Sequence, residues 1–368
     1  MRYAMIMAGG SGTRLWPMST SDQPKQLIPF IRGKSLIQIA VDRLEGLVPA
    51  DRRCICAGQD HRGPIVDRVT GISADRYYAE PVGRDTVNAV GLVASVLERE
   101  DPDAVIAVFT ADHLIEPVDR FVQIVERGYA LAEARPDTLV TFGIEPTHAA
   151  TGYGYLELGE AIAGEGFGEA RLLEQFKEKP DADAAGQYLD AGPGKYLWNS
   201  GMFVWRAATV VACLRRFAPD NHAGLAKIAD AWGTADQQQV LEREYPNLPK
   251  ISVDYAIMEP ASKDEQVAVA AIAMDVRWLD VGSWPSYADT CDRDEASNAI
   301  GADKVMLLDS ENTLVASDDP EHLIATIGTQ DLVIVHTARA TLVCPRDQAE
   351  RIKELHGRVK ETFGEDYV

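Results

Sequence analysis

The sequence predicts an α/β protein, a parallel sheet covered by helices, followed by a small all-β domain that ends in a helix. Nearly continuous apolar runs such as Ala104-Val105-Ile106-Ala107-Val108-Phe109 suit strands buried on both faces. Helical periodicity lies between such runs. Val87, Val90, Ala94 and Leu97 share one face, and Phe121, Ile124, Val125, Gly128 and Leu131 share another. Near residue 296 the composition changes to short strands spaced by turn residues.

The elements follow in order. Tyr3 to Ala8 is a first strand that runs directly into Gly9-Gly10-Ser11-Gly12-Thr13-Arg14. Arg53 to Ala57 is a second strand, Ala104 to Phe109 another, and Thr138 to Gly143 another. Strand and helix alternate through this stretch, which is the pattern of a parallel sheet with its sites beyond the carboxyl ends of the strands. Gly152 to Leu158 reads as a strand entered by a glycine turn, and Gly159 to Gly168 as a surface hairpin or loop. Leu172 to Phe176 leads into Lys177-Glu178-Lys179-Pro180, and Trp198 to Trp205 is an aromatic strand. Helices are expected over Ala207 to Phe217 and Ala235 to Glu244. Past residue 296, strands centre on Val305–Leu308, Thr313–Val315, Leu323–Ile327, Leu332–Val335 and Ala340–Val343. The last helix aligns Ala349, Ile352, Leu355, Val359 and Phe363. The division expected is residues 1–295 and 296–368.

Bulk properties narrow the function. A chain of 368 residues suits two domains, and 46% apolar residues supply a full core. A net charge of -21 argues against nucleic acid and anionic membrane as partners. Anionic substrates therefore need a local basic pocket. Cys54-Ile55-Cys56 is no zinc spacing, and no histidine cluster completes one. The odd set of five cysteines suits buried thiols in a reducing cytosol. No signal-peptide pattern precedes the first strand, and no apolar run reaches membrane-spanning length. A cytoplasmic protein is expected.

The glycine loop carries the strongest chemical signal. A buried strand ending in several glycines brings backbone N–H groups close to an anion, and Arg14 adds a fork of donors for phosphate oxygens. No lysine follows Gly12, so the loop is not Walker A, and Leu15 stands where a dinucleotide fingerprint needs glycine. The plainer alternative is a tight turn. Asp112 and Asp280 each end an apolar strand, and each is either a helix cap or a ligand for a divalent cation. With no histidine or cysteine set, magnesium suits them better than a transition metal. Lys25 and Lys179 fit an anionic substrate, although a lone lysine is more often a solvated charge. Glu178 can accept sugar hydroxyls beside Lys179. Arg84-Asp85-Thr86 either contacts a nucleobase or starts a helix. No nucleophile elbow or Cys–His pair is present in the pattern, and His113 alone proves nothing.

Taken together, these segments resemble the mannose-1-phosphate guanylyltransferases, or GDP-mannose pyrophosphorylases, within the sugar-phosphate nucleotidylyltransferases. The resemblance rests on Gly9 to Pro17, Pro24-Lys25-Gln26, Glu80-Pro81 through Thr86, Ala111-Asp112-His113 and Gly152-Tyr153-Gly154-Tyr155. Phe176 with Glu178-Lys179-Pro180, Trp198 to Phe203, Ser252 to Tyr255, and Trp278-Asp280-Gly282-Trp284 extend it over nearly the whole chain. It implies a Rossmann-like nucleotidyltransferase domain with a mixed, mainly parallel sheet and a short β-rich, β-helix-like C-terminal domain. It implies GTP and α-D-mannose 1-phosphate as substrates, with Mg²⁺. By that resemblance Gly9, Gly10, Ser11, Gly12, Thr13 and Arg14 hold the triphosphate. Arg14 and Lys25 neutralise the reacting phosphates, and Asp112 and Asp280 bind magnesium. Gly83, Arg84, Asp85 and Thr86 lie near guanine. Gly154, Glu178 and Asn199 contact the mannose hydroxyls, and Lys179 contacts the sugar phosphate. Asp85 stands where the family typically has asparagine and Asn88 where proline is common. Thr20 and Thr110-Ala111 also depart from the usual pattern. Guanylyl transfer to a manno-heptose 1-phosphate is the alternative reaction. A non-catalytic sugar-nucleotide sensor or assembly subunit is the alternative from another class. The resemblance also suggests subunit contacts through the β-rich tail, as in a homodimer, and a single activity without the cupin domain of longer relatives.

Overall fold

The first strand runs through Tyr3-Ala4-Met5-Ile6, a stretch with no charged side chain, and all four residues are buried. The structure, a computed structural model, describes every residue except Ser11, Arg32 and Glu165. Ser11, expected in the phosphate loop, therefore lies outside the described residues.

Among the described residues, eleven strands precede the C-terminal region. They are β1 Arg2–Met7, β2 Arg53–Gly58, β3 Tyr77–Glu80, β4 Val105–Thr110, β5 His113–Glu116, β6 Thr138–Ile144, β7 Tyr155–Ala161, β8 Arg171–Lys177, β9 Tyr196–Arg206, β10 Ala268–Ala273 and β11 Arg277–Asp280. Nine of them form one mixed sheet, in the order β3-β2-β1-β4-β9-β6-β10-β8-β7. The run β3-β2-β1-β4 is parallel, as is the pair β6-β10. β9 lies antiparallel between β4 and β6. β5 and β11 form a separate ribbon.

The chain divides into two compact units, and the division does not follow the linear one. The first unit holds Met1–Gly9, Ala40–Ala111 and Ile115–Trp278, and the second holds Gly10–Ile39, Asp112–Leu114 and Leu279–Val368.

In the first unit, helices Thr86–Glu100 and Val118–Ala134 follow the expected periodicity. The second of these buries Phe121, Ile124, Val125, Leu131 and Tyr129, and the Tyr129 hydroxyl donates to the Tyr3 carbonyl at 2.7 Å. Burying such side chains is worth roughly 1.5–3 kcal/mol each. Helix Ala207–Phe217 has the expected bounds. Helices Ala182–Ala191 and Pro219–Ala231 and strands β5 and β10 were not anticipated.

The second unit is β-rich. After β12 Asp292–Arg293 come β13 Ala299–Gly301, β14 Lys304–Leu308, β15 Leu314–Ser317, β16 Leu323–Ile327, β17 Leu332–His336 and β18 Thr341–Pro345. β13, β15 and β17 lie side by side in parallel, while β14 pairs in parallel with β16. Consecutive strands thus alternate between two sheets, which is a coil of β-helix type. Val315, Ile324 and Ile334 pack inside it. Helix Ile352–Phe363 follows. Trp16 belongs to the core of this unit, and its indole N–H donates to the Tyr367 carbonyl at 2.7 Å. Among the described residues, no helix is long and apolar enough to cross a membrane.

Candidate active site

The glycine loop needs its glycines for two separate reasons. Gly10 and Gly12 have φ of +94° and +62°, the left-handed region that other residues enter at a cost. At Gly12 there is also no room, since an added Cβ would sit 2.4 Å from Ser19 Oγ and 2.8 Å from Lys25 Cβ. Thr13, Arg14 and Leu15 make one turn of 3₁₀-helix beyond it. The packing at Gly12 holds the Lys25 stem, and Lys25 Nζ donates to Asp112 Oδ2 at 2.5 Å. This ion pair was not anticipated.

Asp280 closes β11, and the Val281 N–H donates to the Asp112 carbonyl at 3.0 Å. Ligand atoms of Asp112, His113 and Asp280 all lie within 4.8 Å of one another. The two aspartates titrate in opposite directions. Burial would push Asp112 up, but the Lys25 ammonium and then His113 hold it below the ordinary carboxylate range. Burial first, and the neighbouring Asp112 charge second, push Asp280 up. Two half-buried carboxylates that repel each other, with one lysine between them and neutrality, fit a divalent cation. Neither serves as the helix cap that was the simpler alternative, since the cap of the helix after β11 is Ser283. His113, set aside on sequence grounds, belongs to this group. Arg14 Nε pairs with Glu350 Oε2 at 2.9 Å, and both side chains are exposed.

In the first unit, the residues expected to contact the sugar meet at the junction of β7, β8 and β9. The Asn199 N–H donates to the Gly154 carbonyl at 2.7 Å. A Cβ at Gly154 would lie 2.6 Å from Glu178 Oε2, so only glycine leaves space for that buried carboxylate. Lys179 Nζ lies 3.1 Å from Glu178 Oε1. Burial would lower the Lys179 ammonium, but the Glu178 carboxylate raises it. Asn199 is oriented from both ends. Its Oδ1 accepts from Thr141 Oγ1 at 2.9 Å, and its Nδ2 donates to Asp254 Oδ1 at 2.9 Å. One amide N–H and one lone pair remain for a ligand.

Asp254 joins these residues, although the sequence reading names it only within the Ser252–Tyr255 segment of the resemblance and gives it no role. It opens a π-helical turn, Asp254–Met258, a geometry frequent at functional sites. Burial, then the nearby Glu178, push its carboxyl up to about 7. The folded chain therefore binds more protons than the unfolded chain between about pH 4 and pH 7, and stability falls as pH rises through that window. Asp254→Asn should flatten this fall, as measured by thermal unfolding at pH 5 and pH 8. An unchanged difference between the two would assign the pH dependence to other groups.

The loop Gly83–Thr86 is tied down by its own neighbours. The Arg84 guanidinium donates to the Pro246 carbonyl, so in this structure it is a backbone clamp. Asn88, buried in helix Thr86–Glu100, donates to the Arg84 carbonyl at 2.7 Å and the Pro249 carbonyl at 2.9 Å. Asn221 completes the network by donating to Asn88 Oδ1 at 2.8 Å. Proline at position 88 has no side-chain donor for these carbonyls. Asp85 has φ of +69°, is exposed, and accepts the Thr86 N–H at 2.8 Å. Thr86 Oγ1 accepts the Val253 N–H at 2.9 Å, which connects this loop to the residue before Asp254.

Comparison with known proteins adds the context. The nucleotidyl transferase family model matches residues 3–297, and the MannoseP isomerase/GMP-like beta-helix domain model matches residues 303–359. Mannose-1-phosphate guanylyltransferase RfbM of Salmonella typhimurium is 35% identical over 368 residues, covering 99% of this chain and 73% of that protein. A mannose-1-phosphate guanylyltransferase of Escherichia coli is 34% identical over 372 residues, covering 100% of this chain and 76% of that protein. A crystal structure described as mannose-1-phosphate geranyltransferase from Thermus thermophilus superposes with a TM-score of 0.84 at 31% identity. The match covers 98% of this chain and 99% of that one.

Proposed function

The chain belongs to the mannose-1-phosphate guanylyltransferase family of nucleotidyl transferases, and on that premise we propose that it transfers GMP from GTP to α-D-mannose 1-phosphate, releasing diphosphate. The observation that carries this reading is the Asp112, His113 and Asp280 group with Lys25, in one unit with Gly10, Gly12 and Arg14. It supports phosphoryl-transfer chemistry by positioning and charge neutralisation.

An oxygen of the sugar phosphate attacks the nucleotide α-phosphorus. That P–O bond forms as the bond to diphosphate breaks, and the electron pair leaves with diphosphate. The attacking oxygen is already ionised at neutral pH, so no general base is required. Asp112 and Asp280 would hold Mg²⁺, which when bound stabilises charge on the transferring group. The loop Gly9 to Arg14 receives the triphosphate on backbone N–H groups. Arg14 exchanges Glu350 for a phosphate oxygen, a modest loss because exposed pairs are worth only about 0–1 kcal/mol. On the sugar side, Glu178 accepts hydroxyls, Asn199 offers its remaining donor and acceptor, and Lys179 holds the sugar phosphate.

GTP is the proposed nucleotide, with Asp85 accepting from guanine N1 and N2. The rigid anchoring of its loop through Asn88 and Arg84 supports a fixed reading edge. A turnover panel of GTP, ATP, UTP and dTTP against mannose, glucose and manno-heptose 1-phosphates tests the assignment. GTP with mannose 1-phosphate should lead. Asp85→Ala should lower GTP selectivity by about 1–3 kcal/mol, because it leaves two guanine donors unpaired. A preference for ATP or UTP would overturn guanylyl transfer. Equal loss of every nucleotide would make Asp85 the shaper of its loop.

A further inference from the structure

Two of the seven histidines lie in the β-rich coil, outside the Asp112, His113 and Asp280 group. Asp319, His322 and His336 place their ligand atoms within 4.8 Å of one another. Two corners of the coil supply them, the turn between β15 and β16 and the end of β17. Asp319 follows β15, His322 immediately precedes β16, and His336 ends β17. In the parallel register, Ser317 of β15 is the direct neighbour of His336.

Each member is held by a local bond that leaves a ligating atom over. Asp319 Oδ1 accepts the Glu321 N–H at 2.9 Å, which leaves Oδ2. The Asp319 N–H donates to Ser317 Oγ at 3.1 Å, and the His322 N–H donates to the Asp319 carbonyl at 3.3 Å. The turn therefore fixes Asp319 and His322 relative to each other. His336 Nδ1 shares a hydrogen bond with Thr341 Oγ1 at 3.0 Å, which leaves Nε2. A second hydrogen bond on the far ring nitrogen is the usual support of a metal-bound histidine. The two imidazoles are stacked, with centroids 3.5 Å apart and planes 14° apart.

We propose that Asp319, His322 and His336 form a second metal site, selective for a borderline transition cation of the Zn²⁺ class and separate from the carboxylate-rich pair at Asp112 and Asp280. Two imidazoles and one carboxylate suit Zn²⁺, which takes nitrogen and oxygen ligands at four positions, three of them here from protein. Mg²⁺ prefers oxygen and does not displace its waters for imidazole. Ligation turns the exposed His322 ring out of the stack, because in-plane lone pairs of two parallel rings do not converge on one ion. The solvent-facing position of His322 permits that turn and leaves the fourth position to water. A bound ion would cross-link the turn between β15 and β16 to the end of β17.

The test uses the full chain, stripped of metal, in an Asp280→Asn background that disables the other metal-binding group. Zn²⁺ is titrated by calorimetry and Co²⁺ by its visible spectrum, with the unfolding temperature followed in parallel. The expected result is one equivalent of Zn²⁺, bound with a dissociation constant on the order of micromolar or tighter and raising the unfolding temperature. Adding His322→Gln, at an exposed position where folding is not at stake, should weaken binding at least about tenfold and abolish the thermal shift. His336→Gln should do the same. Absence of a Zn²⁺ equivalent in the Asp280→Asn chain overturns the proposal. So does unchanged affinity when both histidines are replaced.

Discussion

Asp280→Asn is expected to lower turnover at least about a hundredfold, roughly 3 kcal/mol, while the metal-free protein stays as stable as the wild type or becomes more stable. The two halves of this result have one cause. Asp280 is pushed up by burial and by the Asp112 charge, so its ionised form is a standing cost to the fold. An amide removes that repulsion and, with it, the attraction for a divalent cation. Asp112→Asn should lose turnover similarly but should destabilise the chain, because Lys25 Nζ loses the carboxylate it meets at 2.5 Å. Initial rates at limiting magnesium and thermal unfolding without metal check both variants. Wild-type-like turnover in Asp280→Asn would remove it from the reaction. A fall in its metal-free stability would show that Asp280 serves the fold, against the trade between stability and activity argued here.

Gly12→Ala should cost the fold about 2–5 kcal/mol and most of the activity. The left-handed backbone at φ +62° contributes about 1–2 kcal/mol of that for any residue with a Cβ. The remainder comes from overpacking, about 1–3 kcal/mol, since the new Cβ falls 2.8 Å from Lys25 Cβ and 2.4 Å from Ser19 Oγ. Moving the Lys25 stem draws its ammonium off Asp112, so the packing error becomes an electrostatic one. Gly10→Ala is the internal control. Its φ is +94°, but nothing lies within 4 Å of an added Cβ, so only the backbone cost applies. Chemical denaturation of the two variants separates the contributions. Equal losses at both positions would mean that backbone geometry accounts for the whole effect. A stable, active Gly12→Ala chain would show that the packed loop is not required.

What was legible in the sequence was local and periodic. The Ala104–Phe109 run appears as β4, displaced by one residue at each end, and helix Val118–Ala134 presents the expected face. β10 was missed because Ala268-Val269-Ala270-Ala271-Ile272-Ala273 is short and alanine-rich, a pattern shared with a buried helix turn. The role of Asp254 escaped because no period surrounds it. Its weight comes from meeting Asn199 and Glu178, which the chain brings from other strands. His113 escaped for a related reason, since a single histidine gains meaning only when Asp280 arrives beside it. The departure at Asn88 was visible as a letter, but its use was not, because the carbonyls it serves belong to residues 84 and 249.

The second unit is sewn from three separate stretches, Gly10–Ile39, Asp112–Leu114 and Leu279–Val368. During synthesis, the Gly10–Ile39 stretch leaves the ribosome long before most of the neighbours it packs against. At roughly 5–20 residues per second, the wait between Ile39 and Leu279 is on the order of ten to fifty seconds. Throughout it Trp16 has neither the Trp284 indole that donates to its carbonyl nor the Tyr367 carbonyl that receives its own N–H. The Gly10–Ile39 segment therefore spends this interval without most of the apolar neighbours that bury it in the folded chain.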